Sequence, residues 1–349
     1  MWIIGCDFHP GWQQVAWLDL ETGETGEAKL EHANGEAERW YRTLPVPSLI
    51  GLEATGNCEW FVELLQQLGH EVWIGDAAKI RASYVRKQKN DRRDAEHILT
   101  LLREKRFPRL WRPTAEQRDV RQLLIHRHKL VEMRARVKNA LQHLAMNRGM
   151  QKKSRLWSQA GQRAFRELAL PGWAGCRRQD LLELLVYLDK KLAPLDRAAE
   201  ELSQVDEVAC LLRTQPGVGP ITALAFAVTI GDASRFQRGK QVASYVGLIP
   251  REHSSGGKQR LGGISQQGNR FLRSLLVEAA QSAVRCDESL RRSYLHRCHS
   301  KPKGVAKVAA ARKLAVRLYW MMRTRTAYPE IVPIESSPRV PRDRSTAAD

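Results

Sequence analysis

Three short strand-like runs, WIIGCDF and WQQVAWLDL with their β-branched and aromatic residues and then GEAKLEH, open the chain with turn residues between them. Such spacing predicts a three-stranded antiparallel meander. Helix and strand patterns then alternate: helix EAERWYRTL, strand SLIGLEA, amphipathic helix CEWFVELLQQLG ended by Gly69, and strand HEVWIGD. Two further helical patterns follow, IRASYVRK and RRDAEHILTLLREKR. A meander joined to α/β units leaves few ways to order the strands of one sheet.

Four acids stand at telling places in that order. Asp7 and Glu53 each close an apolar, strand-like run, so each carboxylate is held by rigid backbone where the strand leaves the core. Asp91 and Asp94, in KNDRRDAEHI, lie three apart at the start of a helical pattern and project from one face. Taken singly, they also read as a loop acid and two helix-start acids. Together they suit one or two divalent ions: oxygen-only ligands favour Mg²⁺ or Mn²⁺, and a metal pair clamps both sides of a phosphoryl transfer. Three antiparallel strands followed by α/β units is the order of an RNase H-type fold. In that fold, acids fall on the first strand, the fourth strand and a late helix.

Charge divides the 349-residue chain unevenly. Residues 1–113 carry 15 Lys+Arg against 17 Asp+Glu, a net of −2, and the remainder carries 42 against 21, a net of +21. The acids therefore belong to the first part and the polyanion-binding surface to the rest. No stretch of about 20 apolar residues exists to span a membrane, which leaves nucleic acid as the expected partner. Six scattered cysteines without a CxxC pair suggest free thiols in a reducing cytoplasm. The His296, Cys298 and His299 cluster reads as basic surface rather than a metal site.

RLWRPT, with Pro113, marks a boundary between a first domain at 1–113 and a helical segment at 114–205. Leu123, Leu130, Val137 and Leu144 repeat at seven, as do Leu181, Leu188, Leu195 and Leu202. They predict an antiparallel helical hairpin or an oligomerising coiled coil, against which Pro194 weighs. A third region, 206–331, opens with LLRTQPGVGPITALAFAVTIGD, the pattern of a helix-hairpin-helix element. Gly217 and Gly219 would let backbone N–H groups meet a phosphate there. A polar loop between two helices then holds Ser254, Ser255, Gly256, Gly257, Lys258 and Arg260, with glycines for close backbone approach and cations for phosphate. The tail at 332–349, rich in Pro, Ser and Arg, reads as disordered.

The combination GLEATG, KNDRRDA, PGVGPITA and ASYVGLIPREHSSGGKQRLGGISQQGNRFLR resembles the DEDD transposases of the insertion-sequence family called IS one-ten, with its IS eleven-eleven subgroup. The likeness covers about residues 1–330. It implies an α/β RuvC-like N-terminal domain, a coiled-coil segment and a mainly helical C-terminal transposase domain. It also implies that Asp7, Glu53, Asp91 and Asp94 bind Mg²⁺ or Mn²⁺ and that Ser255, the serine directly followed by glycine, is the nucleophile, with Ser254 adjacent.

Similar proteins excise and insert their own mobile element, guided by a structured noncoding RNA that pairs with donor and target DNA. They act as dimers or tetramers whose sites combine acids and serine from different subunits. The resemblance thus implies a cytoplasmic, nucleoid-associated bacterial enzyme with DNA, guide RNA and its own copies as partners. A metal-dependent junction-resolvase-like nuclease using water is the alternative, and a binding protein without chemistry is a third reading.

Overall fold

The computed structural model describes residues 1–84, 90–150, 156–254, 258, 260–328 and 330–331. The chain divides into two compact units, Met1–Arg112 and Pro113–Asp349.

In the first unit, β1 (Trp2–Phe8), β2 (Trp12–Asp19) and β3 (Thr25–Glu31) form the meander. They are followed by α1 (Glu36–Arg42), β4 (Leu49–Glu53), α2 (Glu59–Gln67), β5 (Glu71–Gly75), α3 (Ala77–Ala82) and α4 (Asp91–Arg103). The sheet order is β3-β2-β1-β4-β5, with β1 antiparallel to β2 and parallel to β4. This is a mixed α/β unit with the strand order of an RNase H-like domain. The helical pattern IRASYVRK is realised only as far as Ala82, and residues 85–89 lie outside the described residues.

Alternation along β1 sorts its side chains between two cores. Ile4, Cys6 and Phe8 join Tyr41, Phe61 and Leu65 of α1 and α2. Ile3 joins Ile98, Leu101 and Leu102 of α4 on the opposite face. Gly5 lies on that second face, and a Cβ there would stand 2.2 Å from the Ala95 carbonyl oxygen and 2.4 Å from Leu99 N. Its register partner on β4 is Gly51. A Cβ at Gly51 would fall 2.8 Å from Leu102 Cδ1. The two glycines make a shallow trough in which α4 lies directly on the strands.

Among the described residues, the second unit is helical apart from one small two-stranded hairpin. It comprises α5 (Ala115–Met146), α6 (Gln159–Glu167), α7 (Gly172–Val205), α8 (Glu207–Arg213), α9 (Pro220–Ile230), α10 (Gly239–Tyr245), β6 (Pro250–Glu252), β7 (Leu261–Ile264), α11 (Arg270–Cys286), α12 (Glu288–Cys298) and α13 (Lys303–Thr324). The long helices α5 and α7 pack along each other in opposite directions: Arg127 pairs with Asp196 at 2.5 Å, and seven residues further on Arg134 pairs with Asp189 at 3.2 Å. The heptad leucines therefore meet within one chain, where Val137, Leu141 and Leu144 share a core with Leu185 and Leu188. Pro194 is accommodated inside α7. The segment between α5 and α7 contains α6, and α7 begins inside PGWAGC.

Helix α9 is buried along nearly its whole length and forms the axis of the larger core. The turn before it carries Gly217 at φ +87°, and a Cβ there would lie 2.3 Å from Ala283 N on α11. That glycine is required by close packing against α11. Gly219 is the N-cap of α9, with open space where a Cβ would stand. The predicted tail at 332–349 lies outside the described residues.

Candidate active site

The trough explains how four acids distant in sequence reach one place. Side chains two apart on a strand share a face, so Asp7 continues the line of Ile3 and Gly5, and Glu53 that of Gly51. The last paired positions of β1 and β4 are Cys6 and Leu52, so Asp7 and Glu53 sit side by side where the two strands end. Helix α4 begins beyond those ends. Its N-cap is Asn90, whose side chain accepts from Arg92 N at 3.2 Å, so capping does not fall to Asp91 or Asp94. Both carboxylates lie in the first turn, where the helix dipole favours negative charge.

Asp7, His9 and Asp91 each offer a ligand atom, and the three atoms lie within 4.8 Å of one another. His9 Nε2 is 3.2 Å from Asp7 Oδ2 and 3.9 Å from Asp91 Oδ1. Asp94 is buried, and its Oδ1 accepts the Tyr84 hydroxyl at 2.6 Å. The Tyr84 ring packs at a tilt of 31° against His97 with centroids 4.1 Å apart, and His97 Nε2 hydrogen-bonds Ser83 Oγ at 2.8 Å.

The electrostatics follow from this crowding. Burial pushes the Asp7 carboxyl above its ordinary range; His9 pulls it down, and the charges of Asp94 and Asp91 push it up again. Burial also raises the Tyr84 phenol, with Asp94, Asp7 and Glu53 adding to the rise, so one hydroxyl reports the fields of three of the acids. Carboxylates held together against their repulsion form a site that a divalent cation would relieve. The donor set, carboxylate oxygens with one imidazole nitrogen, fits such an ion.

Two residues that the sequence pattern did not single out, His9 and Tyr84, stand beside these acids. His9 carried a usable signal: it stands two after Asp7, on the same side of a strand end. Tyr84 carried none, because its pattern read as mid-helix.

In the second unit, the loop expected between two helices is flanked by the antiparallel hairpin β6–β7, with Pro250 opposite Ile264 and Glu252 opposite Leu261. Arg273 Nη1 ties the hairpin's base by donating to the carbonyls of Val246 and Gln267, both at 2.9 Å. Ser254 Oγ donates to Glu252 Oε1 at 2.6 Å and accepts from Arg260 N at 3.1 Å. Lys258 and Arg260 are exposed. Ser255, Gly256 and Gly257 lie outside the described residues. Among the described residues, His296, Cys298 and His299 do not form a metal-ligand group.

Acids at the ends of adjacent strands 1 and 4, joined by acids of a helix packed on the same face, define the class: an RNase H-like unit with an acidic site suited to a divalent cation. Comparison with known proteins agrees. Residues 4–146 match the DEDD transposase family model, and residues 209–295 match the model of the transposase IS116/IS110/IS902 family. A protein of Pseudomonas aeruginosa named as a probable family 20 transposase is 31% identical, covering 93% of this chain and 98% of its own. The transposase for insertion sequence element IS1328 of Yersinia enterocolitica is 29% identical, over 80% of this chain and 84% of its own. The transposase for insertion sequence element IS1111A of Coxiella burnetii is 30% identical, over 67% and 65% respectively. The chain belongs to the IS116/IS110/IS902 family of transposases, enzymes that cut and rejoin DNA.

Proposed function

We propose that this protein is the RNA-guided recombinase of a mobile insertion sequence. In this reading Asp7, Glu53, Asp91 and Asp94 hold Mg²⁺ or Mn²⁺, and Ser255 is the nucleophile toward DNA phosphate. The observation that carries it is the meeting of Asp7 and Asp91 at the ends of the trough, with Asp94 fixed behind them by Tyr84. The bound metal would neutralise the scissile phosphate and ease ionisation of the serine hydroxyl, a poor nucleophile unaided. The serine oxygen forms a bond to phosphorus as a DNA P–O bond breaks, leaving protein joined to one strand end and a freed hydroxyl on the other.

The contacts of Ser254 support assigning the nucleophile to Ser255. Ser254 spends its hydroxyl on Glu252 and on Arg260 N, contacts that close the hairpin. Lys258 and Arg260 supply positive charge near the developing phosphorane. A guide RNA, oligomers with sites shared between subunits, and a nucleoid-associated location in the cytoplasm belong to the same proposal. So do phosphate contacts from the turn holding Gly217 and Gly219, the helix-hairpin-helix role. For that turn, the open space at Gly219 is the more favourable feature.

The test is to trap the reaction under denaturing conditions with element-end DNA and co-purified RNA. The expected result is a protein–DNA adduct on the peptide containing Ser255, retained in Ser254→Ala and lost in Ser255→Ala. DNA cleavage with no adduct in any variant would hand the chemistry to water and the resolvase-like reading.

A further inference from the structure

His9 is not an acid of the family motif, yet it occupies the same space as two of them. The ring is held in place: it stacks on Trp12 with centroids 4.3 Å apart and planes 24° apart, and Lys29 Nζ lies 4.5 Å from the centroid of the Trp12 ring. Held so, Nε2 faces both Asp7 Oδ2 and Asp91 Oδ1, at 3.2 and 3.9 Å. Neighbouring ligands on an ion with bonds of roughly 2.1 Å stand about 3 Å apart, and opposite ones about 4.2 Å. The two separations from Nε2, 3.2 and 3.9 Å, fall within that range, and all three donor atoms lie within 4.8 Å of one another. A ring that only oriented Asp7 would need one of these two approaches, not both.

We propose that His9 Nε2 is a direct ligand of one metal, making a mixed nitrogen–oxygen site that prefers Mn²⁺ to Mg²⁺. This rests on the four-acid metal site proposed above and adds a donor to it. The preference follows from ligand chemistry. Mg²⁺ is a hard ion served by oxygen, whereas imidazole suits first-row transition ions better. Binding through Nε2 requires the ring proton to sit on Nδ1, a change of tautomer that leaves the stack on Trp12 intact.

The experiment uses the full-length protein and Mn²⁺ alone. Pulsed electron paramagnetic resonance should show nitrogen-14 coupling from one directly bound imidazole. In His9→Ala that coupling should vanish and the Mn²⁺ Kd should weaken about tenfold or more, the Mg²⁺ Kd changing much less. His9 lies at a strand end and is partly exposed, so the variant should stay folded, which its melting curve would verify. Bound Mn²⁺ without nitrogen coupling in the wild type, or coupling that survives in His9→Ala, overturns the assignment. The underlying site has its own readout: if Asp91→Asn and Asp94→Asn bind Mn²⁺ as the wild type does, the four-acid reading falls. If they lose Mn²⁺ while the wild type shows no nitrogen signal, only the role of His9 falls.

Discussion

Gly5 on β1 and Gly51 on β4 are register partners, and both turn their missing side chains toward α4. The pair sets how near α4 comes to the sheet and therefore how near Asp91 and Asp94 come to Asp7 and Glu53. The two positions differ in what a methyl group would strike. At Gly5 it meets helix backbone, and at Gly51 the flexible tip of Leu102.

Gly5→Ala should therefore be the more damaging change. Overpacking against rigid backbone costs typically about 1–3 kcal/mol, here toward the upper end or beyond, and must lift α4 away from β1. Recombination should fall at least about a hundredfold, while Gly51→Ala should keep most of it after Leu102 adjusts. Urea unfolding together with a recombination assay would check both, and equal effects would contradict a trough built around α4.

Asp7→Asn should separate stability from activity. Because the folded state raises the Asp7 pKa, the folded protein binds that proton more tightly than the unfolded chain does. Its contribution is fully present below the unfolded value and is lost as pH rises through the folded one. At neutral pH without metal, the half-buried carboxylate is therefore a cost. Metal-free Asp7→Asn should melt a few degrees higher than wild type at pH 7, the difference shrinking as the buffer is made acidic. Recombination in Mg²⁺ should drop by two orders of magnitude or more. A lower melting temperature at neutral pH would mean that Asp7 is structural.

The succession of strands and the standing of the four acids at element ends were legible in the sequence because both depend on local pattern. Period-two runs gave the strands, and each acid ended a run or opened a helix. The partners of those acids were less legible. His9 joins them by the shape of a strand end, and Tyr84 by the short course of α3, which stops at Ala82. The heptads could not reveal whether the two long helices pair within one chain, since both arrangements need the same leucines. The ion pairs Arg127–Asp196 and Arg134–Asp189 carry that information. The hairpin β6–β7 went unread because PRE and LGGI are too short and glycine-rich to give a strand signal.

Tyr84→Phe tests whether Asp94 depends on a hydrogen bond to hold its place. Only the hydroxyl that donates to Asp94 Oδ1 is removed, and the ring can still pack against His97. Loss of one such bond to a carboxylate costs about 1.5–3 kcal/mol of stability. By the behaviour of groups that orient metal ligands, activity or Mn²⁺ affinity should fall about 10- to 100-fold. Unchanged metal affinity would leave Tyr84 a packing residue.

Nucleic-acid binding by the full chain should be steeply salt-dependent, because residues beyond 113 carry a net charge of +21. A protein neutralising six or more phosphates loses roughly a thousandfold in affinity between 50 and 200 mM salt. Titrations across that range would measure the slope. A flat response would remove Lys258, Arg260 and their basic neighbours from the phosphate-contacting surface.

The second unit is held by a charge pair with almost no access to water. Arg317 of α13 meets Asp287, and it also donates to Gln215 Oε1 at 3.1 Å and Ser289 Oγ at 2.6 Å. Asp287 itself caps α12 by accepting from Leu290 N at 2.8 Å. Burial alone would push this carboxyl up, but the Leu290 N–H, Arg317 and Gln215 outweigh it and hold it below the usual range. Stability from this group is therefore present above the unfolded value and is lost as pH falls through the folded one. Asp287→Asn, or Arg317→Met, should cost about 3–5 kcal/mol, since either leaves a buried group without its counter-charge. Changing both together should cost clearly less than the two single losses added. Denaturant unfolding of the three variants at pH 7 makes the comparison, and simple additivity would show that the pair acts as two separate contacts and not as one unit joining α13, the α11–α12 junction and the turn before α9.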